Sequence, residues 1–269
     1  MEIKWDDHWA NNLYDPLSNI KNPKIWSDFV WRHSLEILEE KINNKLVGRI
    51  NFKDISFLEC GAGTASVTRY LKLTYDFDVI ALDNEFEAIS LIGKLAEKDN
   101  IHIKTIHSGI ENIPLDDNSV DIVYLGGVLE YVEDVERCLK EINRILKEDG
   151  MIIFMVVPNV LNIQVIGNVL MYLKGLAGLR KNSQLKLVPQ NARKWRSIKY
   201  IESLKKQDFD KISIDYLIPY PQLPLPMLMK KFYAILLKIT DNIIRKYHKS
   251  NFLFKEYFTI SFLITAKKK

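Results

Sequence analysis

Two cysteines, Cys60 and Cys138, are too few to staple 269 residues, so a disulfide-built scaffold is excluded and both read as reduced thiols of a cytoplasmic protein. No Cys/His cluster occurs. His33, His102, His107 and His248 show no ligand spacing, which argues against a protein-held metal. No apolar run is long enough to span a bilayer. The start, Met1-Glu2-Ile3-Lys4-Trp5-Asp6-Asp7-His8, is acidic without an apolar centre, and we expect no secretory leader. Internal repeats and low-complexity tracts are missing, and only Lys267–Lys269 reads as a disordered tail.

What is present is the composition of an ordinary globular chain, 47% hydrophobic and 27% charged, long enough for one large domain with an elaborated cap. Its net charge of +4 conceals a division: residues 1–173 carry −11 and residues 174–269 carry +15. A basic C-terminal third fits an anionic neighbour, whether phospholipid, nucleic acid or a phosphorylated substrate; simple solvated lysine faces are the other reading.

The chain organises itself around Phe57-Leu58-Glu59-Cys60-Gly61-Ala62-Gly63-Thr64-Ala65. An apolar run ends in a carboxylate and two glycines one residue apart, then a segment able to be helical: a strand turning tightly into a helix. Glycine permits such a turn and close approach to the backbone, and the helix start offers free N–H groups. The turn alone needs glycine whether or not anything binds. A second feature agrees with a ligand. Phe77–Leu82 reads as a strand tipped by Asp83, twenty residues after Gly63, where nucleotide-binding βαβ units place an acid against ribose hydroxyls.

With these, Ile110–Asp121, Gly127–Asp134 and Leu146–Gly150 resemble, in order and spacing, the class I S-adenosylmethionine-dependent methyltransferases; residues 50–158 carry the likeness. A dehydrogenase would want a third glycine where Ser66 stands. The resemblance implies an α/β, Rossmann-like fold: seven mostly parallel strands in the order 3-2-1-4-5-7-6, the last antiparallel, helices on both faces, and an elaborated C-terminal cap. It implies S-adenosylmethionine as cofactor, held around Glu59, Gly61, Ala62, Gly63, Asp83, Asn84, Ile110, Glu111, Leu125 and Gly126. Many relatives end the third strand in Gly-Asp, the Asp bonding the adenine amino group, whereas this chain has Ser108-Gly109. Relatives often place a histidine where Tyr131 stands, so Tyr131 and His8 are the candidate bases. The Asn-Pro-Pro-aromatic run of nucleobase amino methyltransferases does not occur, and the fifth strand ends in Val157-Pro158-Asn159.

Along the chain, residues 1–48 read as an N-terminal lid and helix, the helix from Lys24 to Leu46 with Phe29, Leu35, Leu38 and Ile42 on one stripe, and His8, Trp9 and Tyr14 as lid candidates. Residues 49–269 form the main domain, with cap insertions at about 160–200 and 218–252. Helices are expected over Thr64–Leu73, Phe86–Lys98, from Asp134 to a close at Gly150, and over Ile163–Leu179. Strands are expected over Ile101–His107, Ser119–Leu125, Met151–Val157 and Tyr257–Ala266, and the resemblance implies another over Phe209–Leu217. Met227–Tyr247 mixes apolar and cationic residues, and three readings stay open: a helix on an anionic membrane, a cap on the acceptor pocket, or plain core packing. The expected activity is methyl transfer to a small-molecule or lipid-like acceptor. The rivals are a non-catalytic membrane- or RNA-associated protein of the same fold, and an RNA methyltransferase, for which no recognised RNA module speaks.

Overall fold

Unbroken apolar runs become the central strands, because a parallel strand covered on both faces has no polar side. In the computed structural model the described residues are 26–47, 51–157, 164–176, 195–217 and 259–269, with single or paired positions at 17, 20, 223, 225 and within 229–240. His8, Trp9 and Tyr14 and much of the expected cap insertions at 160–200 and 218–252 lie outside them.

The elements are α1 (Trp26–Lys45), β1 (Ser56–Cys60), α2 (Ser66–Tyr75), β2 (Asp78–Asp83), α3 (Phe86–Lys98), β3 (Lys104–His107), β4 (Val120–Gly126), α4 (Val135–Ile145), β5 (Leu146–Val156), α5 (Gln164–Leu176), α6 (Ser197–Lys206), β6 (Phe209–Leu217) and β7 (Ser261–Lys268). The strands form one sheet in the order β3-β2-β1-β4-β5-β7-β6, parallel except for β7, which runs antiparallel to both β5 and β6. This is the expected topology. The strand order reverses between β1 and β4, and open α/β sheets carry their ligands in the crevice beyond the carboxyl ends at such a point.

Two apolar layers sandwich the sheet. One gathers Phe29, Leu38 and Ile42 of α1, Leu71 of α2 and Ile92 of α3 over Phe57, Tyr124 and Ile153. The other gathers Leu139 and Ile142 of α4 and Tyr200 and Leu204 of α6 over Leu58, Val123 and Phe154. The N-terminal helix thus shares the domain's core. Asp134 caps α4, its Oδ1 accepting from the Arg137 N–H at 3.0 Å.

Several boundaries move by two or three residues, as at β3, expected from Ile101 and observed over Lys104–His107, and at α2, expected over Thr64–Leu73 and observed over Ser66–Tyr75; two readings change more. Helix α4 ends at Ile145 and not at Gly150, because Leu146 already pairs with Val120 across β4 and the register then shifts to Ile122 opposite Met151. Gly150 serves that shift: a Cβ there would lie 2.6 Å from the Lys147 carbonyl oxygen. The lysine tail is not loose. Lys267 pairs with Met151, the Lys269 N–H donates to the Asp208 carbonyl at 3.1 Å, and the Lys268 ammonium reaches Asn118 Oδ1 and the carbonyls of Asn143 and Leu146 at 2.7–2.8 Å. Three acceptors match the three donors of an ammonium.

Candidate functional site

The bend after β1 is tied down from below and open above. Gly61 and Gly63 have φ of 64° and 55°, and Ala65 has 48°, in the left-handed region that favours glycine. The Ala62 N–H donates to the Leu82 carbonyl at 3.0 Å, fastening the bend to β2. A Cβ on Gly61 would lie 2.5 Å from Val128 Cγ2, so the residue is glycine because the loop after β4 presses against it. This gives the first glycine a packing reason beside the expected one.

Asp83 meets the bend directly. Its Oδ2 accepts from the Gly63 N–H at 2.8 Å and its Oδ1 from the Glu85 N–H at 3.0 Å. The residue is 4% exposed, and its carbonyl accepts from the Ser108 N–H at 3.0 Å, linking the tips of β2 and β3. A carboxylate has about four lone-pair positions, so each oxygen keeps one for a ligand hydroxyl.

Glu59, at the end of β1, is buried and accepts at Oε2 from the Thr68 N–H at 2.9 Å and hydroxyl at 2.6 Å. Burial pushes its carboxyl up to about 7, against the pull of those two hydrogen bonds.

These groups wall a cavity of about 460 Å³, a size suited to a small molecule. Glu59, Gly61, Ala62, Gly63, Asp83, Asn84, Ile110, Glu111 and Gly126 all line it, as does Tyr131. Leu125 does not, because strand residues alternate faces and its side chain is wholly buried in the opposite layer. His8 lies outside the described residues. Tyr131 sits at the rim, 41% exposed, and burial followed by the neighbouring Glu130 raises its hydroxyl above the ordinary range. It is therefore a proton holder at neutral pH. Among the described residues no group of His, Cys, Asp and Glu is arranged to hold a metal ion.

The departure at Ser108-Gly109 has a structural counterpart. A Cβ on Gly109 would lie 2.9 Å from Glu111 Oε2, so a carboxylate two residues on occupies the space that a side chain at 109 would enter.

Sequence reasoning missed Trp31, which α1 brings to the cavity, together with Tyr124, Val128 and Met155. Tyr124 carried a usable signal, since it is two residues from Gly126 on one strand and shares its face. Its ring stacks on Phe57 with centroids 6.5 Å apart, and its hydroxyl stands 3.0 Å from where a Gly126 Cβ would be. Burial raises the hydroxyl's pKa, so it is a donor. Glu130, just behind Tyr131, braces the loop: its Oε1 accepts from the Val157 N–H at 2.7 Å.

Residues 58–154 match the family model of the methyltransferase domain. The demethylmenaquinone methyltransferase of Staphylococcus saprophyticus is 34% identical over 94 residues, 35% of this chain and 40% of that protein. The one from Staphylococcus haemolyticus is 30% identical over 146 residues, 53% of this chain and 55% of that protein. The matches thus span about half, or less, of those relatives. Among solved structures, geranyl diphosphate C-methyltransferase from Streptomyces coelicolor superposes with a TM-score of 0.58 over 98% of this chain and 97% of its own, at 14% identity, a likeness of fold. Strand order, glycine bend and strand-tip acid agree with the class I S-adenosylmethionine-dependent methyltransferases, and residues 58–154 are similar to that methyltransferase domain.

Proposed function

We propose that this chain binds S-adenosylmethionine and transfers its methyl group to a lipid-like small-molecule acceptor. The observation that carries the reading is the Asp83 carboxylate, pinned by the Gly63 and Glu85 N–H groups on the wall of the cavity, with lone pairs left for two vicinal hydroxyls. When bound, the sulfonium supplies an already activated methyl: the sulfur–carbon bond breaks as the acceptor–carbon bond forms, the electron pair goes to sulfur, and the acceptor's proton leaves to solvent or a base.

The residues then have three tasks. Asp83 accepts from the ribose, and the bend at Gly61, Ala62 and Gly63 carries the rest of the cofactor close to backbone. Glu111 takes over the missing adenine contact, its carboxylate standing beside Gly109 as acceptor for the amino group. Glu59, ionised above pH about 7, favours a cationic ligand. Asn84, Ile110 and Gly126 complete the wall.

No strong base is required to make the methyl electrophilic, and alignment plus exclusion of water can supply roughly 7–11 kcal/mol of the barrier in favourable cases. Tyr124 and Met155 flank Gly126 and Trp31 also lines the cavity, an aromatic and thioether lining suited to an apolar acceptor whose oxygen takes a hydrogen bond from the Tyr124 hydroxyl. Tyr131 at the rim is a second donor. Demethylmenaquinone, the acceptor for which the two staphylococcal relatives are named, is a compound of this kind. A peripheral contact with anionic membrane through 227–247 belongs to the same reading.

The test is to incubate the full chain with methyl-labelled S-adenosylmethionine and a bacterial lipid extract, with an aqueous extract as control. Label appearing in the organic phase is expected, and Tyr124→Phe should slow it about tenfold, the worth of one hydrogen bond of about 1.4 kcal/mol. Label confined to water-soluble products would contradict the lipid-like acceptor.

A further inference from the structure

Two connections leave the sheet at its cavity end. One follows the carboxyl end of β5 and contains α5. The other runs from the carboxyl end of β6 to the start of β7 and contains the helical positions between 229 and 240. Both turn large apolar side chains outward. Of fifteen large hydrophobic residues that stand exposed among the described residues, ten lie on these two short segments. On α5, Ile166, Leu170 and Leu173 recur at i, i+4 and i+7 and are 42–57% exposed; on the second segment Phe232, Ile235 and Ile239 recur at i, i+3 and i+7 and are 56–71% exposed. These are single-stripe spacings. The second segment is anchored by its other side, where Leu237 is 3% exposed and joins the core and Tyr233 packs against it. It is therefore apolar inward and outward.

The net charge of both connections is positive. Residues 158–200 contain eight Lys and Arg and no Asp or Glu, and residues 218–258 contain seven against two. No described helix is long and apolar enough to cross a membrane. Outward apolar stripes within strongly cationic sequence, on helices too short or too polar to insert fully, are the features of a segment lying in the plane of an anionic bilayer.

We infer that α5 and the 229–240 segment together form a docking face for an anionic lipid surface, one that sets the cavity end of the sheet against the bilayer from which a lipid-like acceptor is drawn. The inference rests on the lipid-like acceptor proposed above and adds to the contact at 227–247 a second helix, α5, and the shared face that the two present. A second copy of the chain fits less well, because a two-fold contact would set basic segment against basic segment. An RNA would leave the aliphatic stripes without a partner.

The experiment is flotation of the full chain with vesicles of phosphatidylglycerol and phosphatidylcholine, against phosphatidylcholine alone. The wild type should float only with the anionic vesicles. Two double variants, Ile166→Glu with Leu173→Glu and Phe232→Glu with Ile239→Glu, should each cut the floated fraction about tenfold, while S-adenosylhomocysteine binding on the same preparations stays as in the wild type, which shows the variants folded. Flotation unchanged in both variants, no flotation of the wild type, or a variant pair that merely converts a dimer to a monomer by light scattering overturns the docking face. If the wild type floats but fails to bind S-adenosylhomocysteine, the methyltransferase reading falls instead, so the two failures are distinguishable.

Discussion

Residues 51–157 and the two cap connections treat apolar side chains in opposite ways. In the first region strands β1 and β4 are buried at nearly every position, and charges are paired: Arg69 with Asp99 at 2.6 Å, Lys147 with Asp121 at 2.6 Å, Arg144 with Asp117 and Glu141 at 2.6 and 2.8 Å. In the second, Phe232 and Ile239 face outward within sequence that is mostly cationic. The family match ends at residue 154, close to the border between them. On the proposals made above, the difference is that between a region that holds a ligand and one that meets a surface, and substitutions should separate the two.

The largest effect should come from Gly61→Ala. The substitution places a Cβ 2.5 Å from Val128 Cγ2 on a backbone with φ of 64°, and about 2–3 kcal/mol of stability should be lost, with S-adenosylhomocysteine binding abolished. Adding Val128→Ala should restore part of the stability and none of the strain; urea unfolding and calorimetry read the two. Vesicle flotation should persist wherever the chain is folded.

Next is Glu130. Burial raises its carboxyl from 4.5 to about 7. The folded state therefore binds its proton more tightly than the unfolded state does, so its contribution is undiminished below pH about 4.5 and stability declines as pH rises through about 7. Glu130→Gln should remove that decline and stabilise the protein by about 2 kcal/mol at pH 8, with no gain at pH 4.5, as measured by urea midpoints across pH.

A smaller effect concerns Glu59. Its carboxyl, also raised to about 7 by burial, becomes a charge only above that pH. Binding of the cationic S-adenosylmethionine, relative to neutral-sulfur S-adenosylhomocysteine, should strengthen severalfold between pH 6 and 8, and Glu59→Gln should flatten the ratio. The smallest effect should be that of Phe232→Glu on the ligand site: a change within about twofold in S-adenosylhomocysteine affinity and about 0.5 kcal/mol or less in stability, as expected for an exposed position.

Much of the first region was legible because its signals are local. Helix α3 falls where its periodicity puts it, strand β6 where the family resemblance puts it, and Asp83 lies at the tip of β2 in contact with the bend. What escaped reading is contact between distant residues. Val128 pressing on Gly61 and the three acceptors of Lys268 follow from how the strands are set side by side, which no local pattern states. The break at Ile145 escaped for a related reason: Leu146 continues the apolar stripe of α4, yet pairing with Val120 takes it into β5. In the cap the difficulty is different. An apolar stripe at helical spacing reads alike for a core and for an interface, and only exposure separates Leu237 from Ile239.

The central claim, that Asp83 and the bend after β1 hold the ribose of a methyl donor, is tested most directly by calorimetric titration of S-adenosylhomocysteine into the wild type and Asp83→Ala. Two charge-assisted hydrogen bonds, each worth about 1.5–3 kcal/mol, predict binding that weakens by about 100-fold or more in the variant. Absence of binding by the wild type, or equal affinity in the two proteins, would contradict it.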